Sequence, residues 1–424
     1  MRTRQIKSFS MLLVSLFLIS SLWAQDLPSA KPEEVGLSSE RLQRLTVALQ
    51  SYVTDKKMAG SVVLITRHGK VVYFNSFGKR DIESGAAMQN DAIFRIASQT
   101  KALVSVGIMI LQEEGKLLIG DPVGKYIPEF NESTVAVSRE GGGYDVVKAK
   151  RPITLRDLLT HTAGISYGGG PAADKWKEAG ITGFYFSDRD EPIAATIARM
   201  GKLPMDAHPG EKYIYGYNTD ILGVVIEKAS GKSLDEFIAS KILVPLGMKD
   251  THFYLPQDKI NRFATVYSAY PDKPLERAPD AGTITSQGAY VKGPRKSFSG
   301  GAGLLSTASD YAKFLQMMLN KGTLNGTRVL APSTVDLMTV SHLGKIEFNA
   351  GQGFGLGFSV LEDLGDRGTP GSVGEYGWGG AYGSTYWVDP KEDMVVVYMK
   401  QLIPTNNIDD QSKLRTLIYQ AIAK

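Results

Sequence analysis

The stretch Phe94-Arg95-Ile96-Ala97-Ser98-Gln99-Thr100-Lys101 is followed directly by a mostly apolar run, Ala102 to Leu111. This run predicts a buried helix that begins near Ser98. Residues three apart share one face of a helix, so Ser98 and Lys101 are expected side by side in the first turn. A serine hydroxyl becomes a nucleophile when a neighbouring base takes its proton, and a lysine can be that base. The positive end of the helix dipole would favour an uncharged Lys101 and stabilise an oxyanion.

Two other serines fit short nucleophile patterns. Ser76 starts a second Ser-x-x-Lys, but it follows a strand-like run, and Gly78 disfavours a helix start. Ser166 is the centre of a Gly-x-Ser-x-Gly pattern, which requires a buried strand before the serine, whereas residues 154–161 are predicted to be helical. Both are therefore predicted not to be nucleophiles. If Ser98 has only a structural role, it is a helix N-cap, and Lys101 is a solvated lysine one turn later.

Composition and length favour a globular protein with a large core. The chain has 424 residues, of which 43% are apolar and 22% charged. It has no cysteine, which excludes disulfides, a thiol nucleophile and Cys-type metal sites. The five histidines are scattered without ligand spacing, so we predict no metal site and no cofactor.

The first 24 residues have the layout of a secretory signal peptide. Arg2, Arg4 and Lys7 precede an apolar run from Met11 to Leu22, which is too short to span a membrane comfortably. Removing their three positive charges lowers the formal net charge from +4 to +1, which argues against a nucleic-acid partner. We predict a periplasmic or secreted protein with no membrane span after removal of the signal peptide. The sequence does not indicate an oligomeric state.

Strand patterns occur at both ends of the chain and helical patterns between them. A capped helix with apolar residues from Leu42 to Val53 is followed by strands at residues 61–66 and 70–77. Further strands are predicted at 354–360, 384–388 and 394–399, before a final helix with apolar residues from Leu414 to Ile422. Because no strand–helix–strand rhythm is present at the ends, an antiparallel sheet is favoured.

The middle of the chain is predicted to be helical, with long loops. The predicted helices cover residues 101–114, 155–160, 192–200, 219–229, 233–242 and 309–320. The loops at 131–152 and 164–190 exceed the usual connection length, so we predict that they line the site or are mobile. The fold class is therefore α+β: a central antiparallel sheet, flanked by terminal helices, with a large and mostly helical lobe inserted. Residues 25–424 form one predicted domain, with a sheet lobe at about 36–95 and 345–424 and a helical lobe at about 96–344.

Two more stretches carry candidate chemistry. Residues 209–218 contain Tyr213, Tyr215 and Tyr217, any of which could move a proton between nucleophile and leaving group if it lay near Ser98. Trp378-Gly379-Gly380-Ala381-Tyr382-Gly383-Ser384 is rich in glycine, which lets backbone approach a ligand closely. One free N–H there could complete an oxyanion hole. Without a functional role, the tyrosines would be packing residues and the glycine-rich stretch would be a hairpin turn.

In this order, the three stretches resemble the serine β-lactamase and penicillin-binding superfamily, and within it the class C branch and the carboxylesterases called family VIII. Ser98-Gln99-Thr100-Lys101 is similar to the first motif of that superfamily. Tyr215 is similar to the tyrosine of the second motif, and Trp378-Gly379-Gly380 to the esterase version of the third. Residues 158–164 and 300–307 also match, and the resemblance covers about residues 35–424.

The resemblance implies a β-lactamase-like fold and a role for each matched residue. Ser98 would be the acylated nucleophile, Lys101 its base and Tyr215 a general acid and base. The N–H groups of Ser98 and Ala381 would form the oxyanion hole. Substrate-binding positions would be Gln99, Tyr217, Trp378, Gly379 and Gly380.

Two departures from the family pattern bear on the substrate. β-Lactamases and peptidases usually carry an asparagine where Tyr217 stands and a lysine where Trp378 stands. The lost groups would contact an amide or a carboxylate, so the resemblance favours an exported serine hydrolase that cleaves small carboxylic esters. The alternatives are a β-lactamase or D-amino-acid peptidase, and a non-catalytic module that binds a cell-wall fragment.

Overall fold

The structure, a computed structural model, describes residues 26–280, 285–406 and 408–423. The predicted signal peptide, residues 1 to 24, lies outside the described residues. Within the described ranges, no helix combines the length and apolar character that a membrane span requires.

The helices are concentrated between the two groups of strands, with one helix near each end of the chain. They are α1 (Ser39–Thr54), α2 (Thr100–Glu113), α3 (Leu155–Leu159), α4 (Ala173–Glu178), α5 (Ile193–Met200), α6 (Asn218–Ser230), α7 (Leu234–Ile238), α8 (Val244–Leu246), α9 (Ala308–Leu319), α10 (Pro332–Met338), α11 (Leu364–Arg367) and α12 (Asp410–Tyr419). A π-helical segment, Ala239–Leu243, joins α7 to α8.

The strands form one large sheet and several small ones. In chain order they are β1 (Gly60–Arg67), β2 (Lys70–Asp81), β3 (Ala86–Ala87), β4 (Phe94–Arg95), β5 (Thr134–Ser138), β6 (Tyr144–Lys148), β7 (Tyr267–Ala269), β8 (Glu276–Arg277), β9 (Leu305–Ser306), β10 (Thr323–Leu324), β11 (Thr327–Arg328), β12 (Gln352–Phe354), β13 (Ser359–Leu361), β14 (Tyr376–Gly379), β15 (Thr385–Asp389), β16 (Met394–Lys400) and β17 (Leu402–Thr405). The large sheet has eight strands in the order β12-β13-β14-β15-β16-β1-β2-β3.

Every neighbouring pair in the large sheet is antiparallel, as predicted. The N-terminal and C-terminal strands meet at its centre, where Ser61 pairs with Lys400 and Arg67 with Met394. Two distant parts of the chain therefore build one sheet, and the segment between β3 and β12 supplies most of the helices.

The central strand β1 is buried on both faces. Val62 and Leu64 belong to the core cluster that contains α2, α6 and α9. Val63 and Ile65 belong to the cluster that contains α1 and α12. Because successive side chains point to opposite faces of a sheet, one apolar run serves both cores.

The structure corrects several sequence-based boundaries. The predicted loop 131–152 contains the hairpin β5–β6, in which Thr134 pairs with Lys148. The predicted loop 164–190 contains the short helix α4 around the buried Trp176. The final helix ends at Tyr419, and Ile422 instead pairs with Leu37, which ties the two ends of the described chain together.

Candidate active site

The segment that carries Ser98 is fixed by backbone pairing on one side and by α2 on the other. Strand β4 pairs with β9, and the Ile96 N–H donates to Leu304 O at 3.1 Å. Ser98 lies in a single 3₁₀ turn, Ala97–Gln99, immediately before α2. Ala97 has a φ of +43°, an uncommon conformation for a residue other than glycine. The half-buried Ser98 hydroxyl is thus presented at the N-terminal end of a 14-residue helix.

The predicted contact between Ser98 and Lys101 is present. Lys101 is 2% exposed, and its Nζ lies 3.2 Å from Ser98 Oγ. It also donates to Gly301 O at 2.8 Å and to the Tyr167 hydroxyl at 3.1 Å. The amine therefore has three oxygen partners and no carboxylate partner in the described chain.

Tyr215 and Trp378 also meet at this site. The Trp378 Nε1–H donates to the Tyr215 hydroxyl at 3.1 Å. Lys101 Nζ lies 4.6 Å from the centre of the Tyr215 ring. The second and third sequence motifs are therefore brought to the first, although they come from different parts of the fold.

The ring of Tyr215 rests on a fully buried histidine. The centres of the His161 and Tyr215 rings are 4.6 Å apart. Burial lowers the pKa of His161 well below its ordinary value, and the nearby Lys101 charge acts in the same direction. Asn218 Nδ2 lies 3.0 Å from His161 Nδ1, as expected if a neutral imidazole accepts there. His161 thus provides an uncharged support for the tyrosine.

The glycine-rich third motif forms the end of β14 and the turn into β15, so its description as a hairpin turn is correct. Gly380 N–H donates to Ser384 O at 2.8 Å and closes the turn. Gly380 packs so tightly that a Cβ there would lie 2.6 Å from Ile96 O. The turn is therefore held directly against the Ser98 segment. Neither the Ser98 N–H nor the Ala381 N–H donates to an acceptor in the described residues.

Tyr167 lies at this site although no sequence motif indicates it. Its hydroxyl contacts Lys101, and burial raises its pKa well above the ordinary value of a tyrosine. It comes from the predicted loop 164–190, directly after the rejected Ser166. The only signal was the unusual length of that loop.

Two predicted substrate-binding residues are fully buried in the structure. Tyr217 is 0% exposed, and its hydroxyl donates to Gly183 O at 2.7 Å while its ring stacks on Trp176. Gln99 is also 0% exposed. Both side chains are enclosed by the protein, the tyrosine just before α6 and the glutamine just before α2, so neither is exposed to a substrate. Trp378, Gly379 and Gly380 are half-buried and remain candidates for substrate contact.

The rejected serines have ordinary structural roles. Ser76 lies within β2, paired opposite Val62. Ser166 Oγ accepts from the Gly168 N–H at 3.1 Å, a local turn contact. In the described residues, no group of three His, Cys, Asp or Glu side chains could hold a metal ion.

Comparison with known proteins identifies the family. A family model described as Beta-lactamase matches residues 45–418. Esterase EstB from Burkholderia gladioli is 30% identical over 384 residues, covering 85% of this chain and 91% of that protein. A putative D-alanyl-D-alanine carboxypeptidase from Escherichia coli (strain K12) is 26% identical over 429 residues, covering 95% and 93%.

A solved structure extends the comparison to the fold. EstCE1, described as a hydrolase with promiscuous acyltransferase activity, superposes with a TM-score of 0.74 at 27% identity, covering 89% of this chain and 98% of that one. The sequence match and the structural match to these relatives both extend over most of the chain. This protein therefore belongs to the beta-lactamase family and is an enzyme of the serine hydrolase type.

Proposed function

We propose that this serine hydrolase cleaves carboxylic esters of small molecules through an acyl-enzyme on Ser98. The observation that carries the proposal is the contact of Lys101 Nζ with Ser98 Oγ at 3.2 Å, in a site where the amine is almost fully buried. A serine hydroxyl becomes a nucleophile when a neighbouring base takes its proton, and Lys101 contacts that hydroxyl directly.

The three contacts of Lys101 fit both protonation states. An ammonium group has three hydrogens, one each for Ser98, Tyr167 and Gly301. A neutral amine has two hydrogens, which serve Tyr167 and Gly301, and a lone pair that faces the Ser98 hydroxyl. Lys101 can therefore take the Ser98 proton without moving, as Ser98 Oγ forms its bond to the ester carbonyl carbon.

In this proposal, Tyr215 protonates the leaving alcohol. An indole N–H only donates, so the Tyr215 oxygen accepts from Trp378 and its own hydrogen is left for another acceptor. When the bond between the carbonyl carbon and the alcohol oxygen breaks, this hydrogen passes to the alcohol, and Tyr215 regains a proton from Lys101. Water then attacks the acyl group by the reverse sequence of proton transfers.

The N–H groups of Ser98 and Ala381 supply the oxyanion hole in this proposal. Both are free of acceptors in the described chain, and Gly380 holds the turn against the residue two before Ser98. Two backbone donors fixed by the fold stabilise the developing oxyanion without reorganising during the reaction.

An ester is favoured over a β-lactam or a D-peptide by the groups that surround the pair. Trp378 offers an indole where a lysine would bind a substrate carboxylate, and Tyr217 is buried where an asparagine would contact an amide. The relatives include the esterase EstB, but also a putative D-alanyl-D-alanine carboxypeptidase. The complete Ser98–Lys101 contact argues against a non-catalytic binding module.

The experiment compares Ser98→Ala with Ser166→Ala and Ser76→Ala on a p-nitrophenyl butyrate substrate. We expect Ser98→Ala to lose at least roughly a thousandfold in kcat, because the covalent step is abolished. The other two variants should retain activity. A chromogenic cephalosporin tests the alternative substrate class: turnover that rivals ester cleavage would favour a β-lactamase. Hydrolysis that persists in Ser98→Ala would contradict the proposal.

We also propose that the enzyme is exported and that residues 25–424 form the mature domain. This rests on the three basic residues and the apolar run of residues 1–24. N-terminal sequencing of enzyme recovered from outside the cytoplasm should show a start near residue 25, whereas an intact Met1 would contradict export.

A further inference from the structure

Asp220 is a buried carboxylate that the reaction above does not use. It lies in the first turn of α6 and is 1% exposed. Its Oδ1 accepts from Ser299 Oγ at 2.6 Å and from the Gly301 N–H at 2.9 Å. Its Oδ2 has no hydrogen-bond partner in the described chain. A carboxylate this deeply buried and only half satisfied is costly, which calls for an explanation.

Gly301 connects this carboxylate to the catalytic lysine. Its N–H binds Asp220, while its carbonyl accepts from Lys101 Nζ at 2.8 Å. A Cβ at position 301 would collide with Asp220 Oδ2, so a glycine is required for this approach. Ser299 Oγ, which donates to Asp220, also accepts from the Ala302 N–H at 3.1 Å, and this N–H shares a peptide plane with the Gly301 carbonyl. Asp220 therefore helps to orient the carbonyl that holds Lys101.

The electrostatic surroundings of Asp220 include Lys101. Lys101 itself contacts Ser98 on its own segment and Tyr167 from the loop, and its Nζ lies over the ring of Tyr215. His161, which burial keeps neutral, also interacts with Lys101, and Tyr217, whose pKa burial raises, interacts with Asp220. Burial raises the pKa of Asp220, and the charge of Lys101 opposes that rise, so the two groups interact.

We propose that Asp220 is a positioning residue for this reaction: through Gly301 it directs the carbonyl that orients Lys101, and its negative charge stabilises the proton that Lys101 takes from Ser98. The inference rests on the proposed ester hydrolysis. It assigns Asp220 no contact with the substrate.

The test is the pH dependence of kcat/KM for p-nitrophenyl butyrate in Asp220→Asn. The asparagine keeps the shape and one accepting oxygen but removes the negative charge near the catalytic pair. We expect the acidic limb to move to lower pH by roughly one unit, the size typical of an adjacent charge. The plateau of kcat/KM should fall about tenfold, because the base that takes the Ser98 proton is less well oriented.

Asp310→Asn is the matched control. Asp310 is also a buried carboxylate, but it accepts from the Asp250 N–H and Thr251 and contacts none of the groups around Ser98. The acidic limb of the Asp310→Asn enzyme should coincide with that of the parent enzyme. An equal displacement in both variants would mean that loss of any buried charge moves the limb, and would overturn the inference.

Ser299→Ala provides a second variant if Asp220→Asn does not fold. It removes one donor to Asp220 Oδ1, which makes the ionised carboxylate less favourable, so the limb should move in the same direction by roughly half a unit. An acidic limb that stays in place in a folded, active Asp220→Asn or Ser299→Ala enzyme overturns the inference while leaving ester hydrolysis intact. Failure of the proposed function itself is recognised separately, by activity that persists in Ser98→Ala.

Discussion

At the scale of single residues, the indole of Trp378 contributes a hydrogen bond to the site as well as an apolar surface. Its N–H occupies one lone pair of the Tyr215 oxygen and so fixes the direction in which that hydroxyl donates. Trp378→Phe keeps an aromatic ring but removes the donor. We expect kcat/KM for short-chain esters to fall roughly tenfold, the equivalent of about one hydrogen bond, with little change in unfolding free energy.

Trp387→Phe is the matched control for that substitution. Trp387 lies in the neighbouring strand β15, is 3% exposed, and its indole N–H has no partner in the described residues. Loss of this N–H should leave kcat/KM unchanged. If both variants lose activity equally, the effect belongs to packing of the sheet and not to Tyr215.

Sequence spacing predicted the residues that lie close together in the chain, but not those that depend on burial. The three-residue interval placed Lys101 beside Ser98, and the contact is present. Tyr167 reaches the same lysine from 66 positions away, in a segment without periodicity, so no local pattern could reveal it. The resemblance implies substrate contact for Tyr217 and Gln99, but only the fold shows that both side chains are buried.

At the scale of elements, the turn between β14 and β15 carries Ala381, whose N–H belongs to the proposed oxyanion hole. Gly380→Ala would place a Cβ 2.6 Å from Ile96 O, so the turn must move away from the Ser98 segment. We expect kcat to fall roughly a hundredfold, as when an oxyanion donor is removed, while KM changes less.

Gly120→Ala provides the control for the Gly380 substitution. A Cβ at Gly120 would meet nothing within 4 Å, and neither glycine has a positive φ, so the two changes differ only in steric contact. Gly120→Ala should keep the parent kcat. A Gly380→Ala enzyme with unchanged kcat would show that the turn is not part of the reaction.

Most elements with a strong apolar pattern agree with the prediction, and those with weak local signals do not. The continuous apolar runs of β1 and β16 indicate strands, and the capping residues before α1 indicate its start. The single strand predicted at 354–360 is wrong, because the alternating residues there span the turn between β12 and β13. The β5–β6 hairpin was missed because much of it faces solvent, so it lacks the apolar pattern of a buried strand. Solvent-facing strands lack the apolar periodicity from which a strand is predicted.

At the scale of the whole molecule, stability depends on histidines that the fold keeps neutral. Burial lowers the pKa of His252 to about 4, and the charge of Lys259 contributes. In the unfolded chain the same imidazole binds a proton near its ordinary pKa of 6.5. Protonation therefore favours unfolding, and stability is lost as the pH falls from 6.5 to 4.

His252→Gln should reduce this loss, since glutamine does not titrate and can still accept from Lys259, which lies 3.1 Å from His252 Nε2. We expect the decrease in unfolding free energy between pH 7 and pH 4 to be smaller by roughly 2 kcal/mol, measured by urea denaturation. Asp310, whose pKa burial raises to about 6, acts in the opposite direction over the same range. The comparison of variant with parent isolates His252, and equal losses in both would contradict its role.

The overall architecture follows from one property of the sequence: strand patterns at both ends and helices between them. The antiparallel sheet was therefore predictable, and the pairing of β1 with β16 completes it. The strand order and the meeting of three distant motifs were not, because they depend on long-range packing between the two core clusters.

The most direct test of the central claim is to locate the acyl group after brief reaction with a p-nitrophenyl ester, quenched in acid and digested with trypsin. Trypsin cleaves after Arg95 and Lys101, so Ser98 falls in a short peptide of residues 96–101, separate from those that contain Ser76 and Ser166. We predict that mass spectrometry will show the acyl mass on peptide 96–101 and its absence in Ser98→Ala. An acyl group on another peptide, or steady turnover with no adduct at Ser98, would contradict the account.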